Sequence, residues 1–317
     1  MRILVTCPPM LGQIESFRAI FESRGLELVT PNVVQTLSES ELEEILPTVD
    51  GWIIGDDPAT ERVFIAGKAG KLKAVVKWGV GTDNVDFAAC KRLGIPVINT
   101  PNMFGREVAD IALHYLIGLA RHTYEIDRGV RAGSWPKPAG ISIYGRKAGV
   151  IGFGDIGRAV ASRLYALGLE VQVYDPYSRN ENLPYLFEEF PNGMEHADFL
   201  VITCALTPET KEMVNAESIG RMKKGVRIVN VSRGALIDEP ALIRALESGQ
   251  VSAAALDVFE VEPLPMDSPL RRMNQCIFGT HNGSNTVDAV RRASLEAIQR
   301  LFGFLDIPTD DDDLKND

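Results

Sequence analysis

The chain has 317 residues, 45% of them hydrophobic and 24% charged, which is long enough for two domains with cores of their own. Its 43 acidic against 33 basic side chains leave a formal charge of −10, which argues against nucleic acid or an anionic membrane as a partner. No apolar run approaches a membrane span. Cys7, Cys90, Cys204 and Cys276 form no CxxC pair and no Cys/His cluster, so a reduced, cytoplasmic setting without a bound metal is expected.

Strand and helix signals alternate throughout, which indicates parallel α/β layers. The opening MRILVTCPPM reads as a first strand, Ile3–Thr6, running into a turn at Pro8–Pro9, and not as a signal peptide. Further strands are expected at 26–29, 51–54, 74–77 and 97–98. A helix is expected over 38–46, with Ser38 as N-cap and Glu41 three residues on. No glycine-rich phosphate loop follows the first strand, so this α/β unit lacks a nucleotide fingerprint. Residues 106–121 read as a long, largely apolar helix linking two units, and 131–145, rich in Gly, Pro and Trp, as a loop or arm.

Residues 148–175 read AGVIGFGDIGRAVASRLYALGLEVQVYD. A short apolar run enters Gly152, Gly154 and Gly157, a helical pattern follows to Leu167, and a second strand ends on Asp175. This is the dinucleotide-binding fingerprint in its strand, turn, helix and strand context. Gly152 permits the turn, Gly154 lets the backbone approach a pyrophosphate, and Gly157 lets helix pack on strand. The amides at Asp155–Ile156 and the positive helix end favour the phosphates. Asp175, eighteen residues beyond Gly157, can accept from the ribose hydroxyls and repels a 2′-phosphate, so NAD is expected over NADP.

Past the fingerprint, strands are expected at 199–203, 227–230, 253–256 and 276–278, and a helix at 287–304. Three strand ends carry polar residues, where open α/β sheets place their ligands. They are Asn230–Gly234 with Arg233, Asp257–Pro263 with Glu262, and Gly279–Gly283 with His281. Taken singly, an arginine after a strand reads as a surface charge, an acidic cluster as a solvated loop and a histidine as a packed or capping residue. Taken together they form a set: an acid–base histidine, a carboxylate to orient it, and an arginine able to hold a substrate carboxylate by two parallel hydrogen bonds. His114, His122 and His196 receive no catalytic role. The acidic tail 309–317 reads as solvated and disordered, with no function.

With these motifs in this order, the chain resembles the D-isomer-specific 2-hydroxyacid dehydrogenases. The matching stretches are Gly152–Gly157, Asn230–Gly234, Asp257–Pro263 and His281. Earlier marks are the Gly79–Asp86 loop, Asn99–Pro101 at the start of a hinge helix, and Leu206–Thr210. The resemblance implies an α/β protein of two doubly wound parallel-sheet domains, Rossmann- and flavodoxin-like, joined by hinge helices. Residues 1–100 and 284–317 would form a discontinuous substrate domain and 101–283 an inserted NAD-binding domain. It also implies a homodimer, with the 121–145 arm packing on the partner.

The implied reaction is hydride transfer between NAD(H) and a small D-2-hydroxy acid or 2-keto acid. Arg233 would bind the carboxylate and polarise the carbonyl, His281 would exchange the proton, and Glu262 would hold His281 protonated. Backbone amides of Trp78, Gly79 and Val80 would cradle the carboxylate. Asp257 would reach the nicotinamide, while Cys204, Val231, Ser232 and Gly283 would line the cofactor. Thr280, Asn282, Asp110 and Phe104 depart from the family pattern without removing a catalytic group. Lys77 aligns with a cationic position of phosphoglycerate dehydrogenases; its other reading is a surface charge at a strand end. Asp56 and Asp57 nearby oppose a phosphate. Other readings are an NADH-sensing corepressor-like protein and, on the same scaffold, formate oxidation.

Overall fold

The structure, a computed structural model, describes residues 1–178 and 182–309; most of the acidic tail, 310–317, lies outside them. The described residues divide into two compact units, Met1–Met103 with the chain from Asn285 onward, and Phe104–Ser284. No helix among them is long and apolar enough to cross a membrane.

The first unit holds β1 (Arg2–Val5), β2 (Glu27–Val29), β3 (Gly51–Ile54), β4 (Ala74–Lys77) and β5 (Val97–Asn99). They form one all-parallel sheet in the order β2-β1-β3-β4-β5, the doubly wound flavodoxin-like order. β3 and β4 are buried along their whole length, as strands covered on both faces must be. The helix Val287–Phe304 covers this sheet: a Cβ on Gly51 would sit 3.1 Å from Leu305 and 3.2 Å from Leu301 side-chain atoms. Ser38 caps the helix Glu39–Ile45 through a reciprocal box with Glu41. Instead of a turn, Pro8 opens a short helix, Pro8–Leu11. Proline suits that first position because its missing N–H would have no helical acceptor and its φ is preset.

The second unit holds β6 (Lys147–Ile151), β7 (Glu170–Tyr174), β8 (Leu186–Phe187), β9 (Phe199–Ile202), β10 (Val226–Asn230), β11 (Val251–Leu256) and β12 (Cys276–Phe278). Its parallel sheet runs β12-β11-β10-β9-β6-β7-β8. After β6 the chain winds outward through β7 and β8, then returns to the other side of β6 as β9. The β6/β9 boundary is therefore the switch point, where open sheets leave a crevice at the carboxyl ends of their strands.

Two helices differ from the sequence reading. The hinge helix begins at Gly105, not at Asn99–Pro101, which form the end of β5 and a turn. Ahead of the stretch 131–145, read as a loop or arm, stands a helix the sequence reading does not propose, Thr123–Arg131, separated from Gly105–Arg121 by His122 in the left-handed region at φ 56°. Polar composition masks that helix, none of whose residues is buried.

Candidate functional site

At the switch point each fingerprint glycine has a separate physical reason. Gly152 has φ +88°, and a Cβ there would lie 2.6 Å from Cys204 Cα. Gly157 is tighter still, since its Cβ would stand 2.0 Å from the Gly152 carbonyl oxygen. Gly154 is crowded by nothing within 4 Å, so its bare backbone borders open space. The helix Asp155–Ala166 starts there with no side-chain cap, leaving its first amides for an external acceptor. The Asp155 carboxylate packs close to the start of the hinge helix, where a Cβ on Gly105 would be 2.5 Å from it.

At the end of β7, Asp175 accepts from the Phe153 amide at 2.7 Å and from the Tyr177 and Ser178 amides at 2.8 and 3.0 Å. A carboxylate is thereby fixed beside the glycine turn. Across the crevice, Ser232 Oγ donates to the Cys204 carbonyl, and Val231 donates to the Ile202 carbonyl at 3.4 Å. Burial pushes the Cys204 thiol up to about 12, so it lines the crevice as a protonated, inert group.

The three polar strand ends meet along one edge of the same sheet. After β10, Asn230 Nδ2 donates to the Arg233 carbonyl at 2.8 Å and Asn230 Oδ1 accepts from the Ser232 amide at 3.1 Å. These bonds curl the loop around Arg233. The next loop closes directly on it: a Cβ on Gly234 would lie 1.9 Å from the Phe259 carbonyl carbon. Beyond β11, Glu262 Oε1 accepts from the Phe259 amide at 2.9 Å, and Glu262 Oε2 lies 2.9 Å from His281 Nδ1. The two side chains are only 20% and 22% exposed. That contact makes Nδ1 the carboxylate-bound nitrogen of the ring.

Asp257 is almost fully buried and serves as the brace of the third loop. Its carbonyl accepts from the His281 amide at 2.7 Å, and Oδ2 from the Gly283 amide at 2.8 Å. Its Oδ1 accepts from Tyr115 Oη at 3.1 Å. Burial and the adjacent carboxylate raise the Tyr115 phenol well above its ordinary range, so it stays a donor. With both carboxylate oxygens engaged, a nicotinamide amide would have to share them with these donors. Asn230 and Gly279, whose Cβ would lie 2.0 Å from Asp257 Oδ1, fall in the stretches read from the sequence without a task of their own, and Tyr115 is not legible there as a site residue. Their function is positioning, visible only once the loops are folded together.

In the first unit the substrate-loop expectation needs correction. The Trp78 amide donates to the Ile54 carbonyl at 2.9 Å, and the Gly79 amide to Thr100 Oγ1 at 2.8 Å. Neither is left for a carboxylate. The Val80 amide has no such bond among the described residues. The Trp78 indole is 5% exposed and donates to Ser294 Oγ at 3.0 Å, so the ring anchors the loop. Nor is Lys77 a surface charge: it is buried, with Nζ 2.7 Å from the Gly55 carbonyl and 3.0 Å from Asp56 Oδ1. Asp57 is tied to Thr6 Oγ1 and the Leu37 and Gly55 amides, and burial raises its carboxyl above the usual range.

The family profile described as D-isomer specific 2-hydroxyacid dehydrogenase, NAD binding domain, matches residues 113–283. The chain is 37% identical to a hydroxypyruvate reductase of Thermotoga maritima, over 92% of this chain and 95% of that one. It is 36% identical to a D-3-phosphoglycerate dehydrogenase of Methanocaldococcus jannaschii, over 95% of this chain and 56% of that one. The chain thus spans about half the length of the phosphoglycerate dehydrogenases it matches. Among solved structures, the TT0316 protein of Thermus thermophilus aligns with a TM-score of 0.87 at 31% identity, over 96% of this chain and 97% of that one. With its fingerprint at the switch point and its Arg, Glu and His loops on one sheet edge, the chain belongs to the D-isomer specific 2-hydroxyacid dehydrogenases, NAD-dependent oxidoreductases.

Proposed function

We propose that the protein reduces a small, unphosphorylated 2-keto acid of the hydroxypyruvate or glyoxylate kind, with His281, Glu262 and Arg233 as its catalytic residues. The observation that carries this reading is the 2.9 Å contact between Glu262 Oε2 and His281 Nδ1. The Glu262 carboxylate orients the imidazole and offsets the charge of its protonated form. His281 Nε2 then gives a proton to the carbonyl oxygen in reduction and takes it back in oxidation. The Arg233 guanidinium holds the substrate carboxylate and polarises the carbonyl. NAD(H), when bound, supplies or accepts the hydride.

Phe104–Ser284 would hold the dinucleotide, with its pyrophosphate at Gly154–Ile156 and its ribose at Asp175. Cys204, Val231, Ser232, Asp257 and Gly283 would line the nicotinamide end. The first unit would bind substrate, with the Val80 amide as its carboxylate donor. Two observations favour an unphosphorylated substrate. The Lys77 ammonium is already committed to Asp56 and the Gly55 carbonyl, and one relative covered almost end to end is a hydroxypyruvate reductase.

The protein would work as a homodimer in the cytoplasm. Val130, Trp135 and Tyr144 on the arm are 45%, 76% and 80% exposed, which is apolar surface suited to a partner copy. The four cysteines are free thiols, in keeping with a reducing compartment.

The test is NADH oxidation by the purified protein against hydroxypyruvate, glyoxylate, pyruvate and 3-phosphohydroxypyruvate. The expected result is highest kcat/KM on one of the first two. A clear preference for the phosphorylated acid overturns the substrate assignment. Light scattering reads the dimer in the same preparation.

A further inference from the structure

Opposite the catalytic loops, at the amino ends of β10, β11 and β12, the second unit has a cleft of about 280 Å³. Its lining includes Arg227 at the start of β10, Ser252 in β11, Asn274 just before β12, and His122, Glu125 and Arg128 from the arm. We propose that this cleft is a binding site for a compact oxyanion, a di- or tricarboxylate or a phosphate, with the Arg227 guanidinium as its principal donor.

Arg227 is the reason. Its guanidinium Nε is buried and has no acceptor among the described residues. A buried N–H left unmatched costs free energy that a ligand or an ordered water recovers. Burial also holds the guanidinium below its ordinary basicity, although Asp198 favours its charge. The nearest candidate partner is already taken. Asp198 Oδ1 accepts from Lys223 at 2.8 Å and Arg146 at 3.0 Å, and Oδ2 from the Lys147 amide at 3.2 Å. The ring of Phe199, 5.9 Å from Cζ, supports one face of the guanidinium and supplies no acceptor.

The rest of the cleft suits one small anion. Arg128 adds a second positive charge and is held in place by donating to the Asn274 carbonyl at 2.7 Å. Glu125 is the opposing charge, and its Oε2 is already engaged by His122 Nδ1 at 3.2 Å. The carbonyl end of Gly105–Arg121 and the amide end of Thr123–Arg131 meet at His122, so their dipoles cancel there. A volume near 280 Å³ lies at the small end of ligand pockets. Tyr124 and Arg128, one turn apart, face the cleft; Ile126 and Val130 lie on the other side of that helix, where a partner copy would sit.

The site is separate from the dinucleotide crevice, so it is tested with that crevice filled. The experiment is calorimetric titration of citrate, and separately of inorganic phosphate, into the protein saturated with NADH. Wild type is expected to bind one anion per chain. Arg227→Gln and Arg128→Ala should each raise the dissociation constant by about tenfold or more, with NADH affinity unchanged. Arg233→Ala should bind the anion as wild type does, which separates this cleft from the catalytic arginine. Should Arg227→Gln fail to fold, Arg128→Ala reads the same site. The tighter of the two anions identifies the ligand class. The proposal fails if neither anion binds, if both cleft variants bind as wild type does, or if Arg233→Ala abolishes binding. Each failure leaves the turnover test of the catalytic loops untouched.

Discussion

The His281 amide donates to the Asp257 carbonyl at 2.7 Å, while the Asp257 carboxylate takes the Gly283 amide two residues further on. Asp257 thus grips the loop on both sides of the imidazole, and His281 is held in the left-handed region at φ 55°. Such a conformation persists in a non-glycine residue only when its surroundings over-determine it. Asp257→Ala should lower stability by about 2 kcal/mol, since it leaves Tyr115 Oη and the Gly283 amide unsatisfied. It should also cut kcat/KM more than Asp257→Asn does. Asparagine can still accept from Gly283 and donate to the Tyr115 oxygen, so its thermal unfolding should stay near that of wild type. Equal losses in the two variants would show that charge, and not bracing, is what matters at 257.

Three substitutions separate the catalytic roles. His281→Ala and Arg233→Ala should each reduce kcat/KM by roughly a hundredfold or more, and Glu262→Gln by less, because it weakens orientation without removing the proton donor. NADH binding, read by fluorescence titration, should be unchanged in all three. Near-normal turnover in His281→Ala removes it as the acid–base group.

The fold is legible in the sequence where a pattern is local. Period-two and apolar runs mark β1, β3, β4, β6, β9 and β10 to within a residue or two, and the fingerprint glycines show their separate jobs through spacing alone. What is not legible depends on contacts distant in sequence. That Tyr115 supports Asp257 across 142 positions, or that Thr100 takes the Gly79 amide expected to face a substrate, follows only from the folded chain. Lys77 is instructive for the same reason. Its burial and its Asp56 partner reverse the reading that a strand-end lysine invites, and no local signal distinguishes the two. The two-residue β8 and the helix Thr123–Arg131 escape sequence reading because short or one-sided elements carry little periodicity.

Stability should depend on acid through Asp198. Burial alone would raise its carboxyl, but hydrogen bonds from Lys223 and the Lys147 amide, with the charges of Lys223 and Arg146, more than offset that and hold it below the ordinary range. A folded-state value below the unfolded one means stabilisation fully present above the unfolded value of about 3.9 and lost as pH falls through the folded one. Asp198→Asn should therefore cost about 1–2 kcal/mol at neutral pH, and the gap from wild type should narrow under strongly acid conditions. Thermal unfolding of both proteins from neutral to strongly acid pH checks this; a constant gap across the range would sink it.

Cofactor choice should follow Asp175. Its carboxylate, fixed by the Phe153, Tyr177 and Ser178 amides, places negative charge at the end of β7, where a 2′-phosphate would have to sit. Asp175→Ala should shift the ratio of kcat/KM for NADPH over NADH upward by at least about tenfold, mainly through KM. An unchanged ratio would mean that another residue excludes the phosphate.

Two glycines three residues apart should fail in opposite ways. A Cβ on Gly154 would meet nothing within 4 Å, and the backbone there is extended, φ −76° and ψ −157°. Gly154→Ala should therefore fold with wild-type stability while its methyl group fills space the pyrophosphate needs, weakening NADH binding about tenfold or more. At Gly157 the added carbon would meet the Gly152 carbonyl oxygen at 2.0 Å, and backbone cannot rotate aside as a side chain can. Gly157→Ala should cost about 2–3 kcal/mol by forcing the helix away from β6. Thermal unfolding and NADH titration on both variants separate the two effects. If Gly154→Ala binds NADH normally, the pyrophosphate does not pass over that residue, and the placement of the dinucleotide along this turn is wrong.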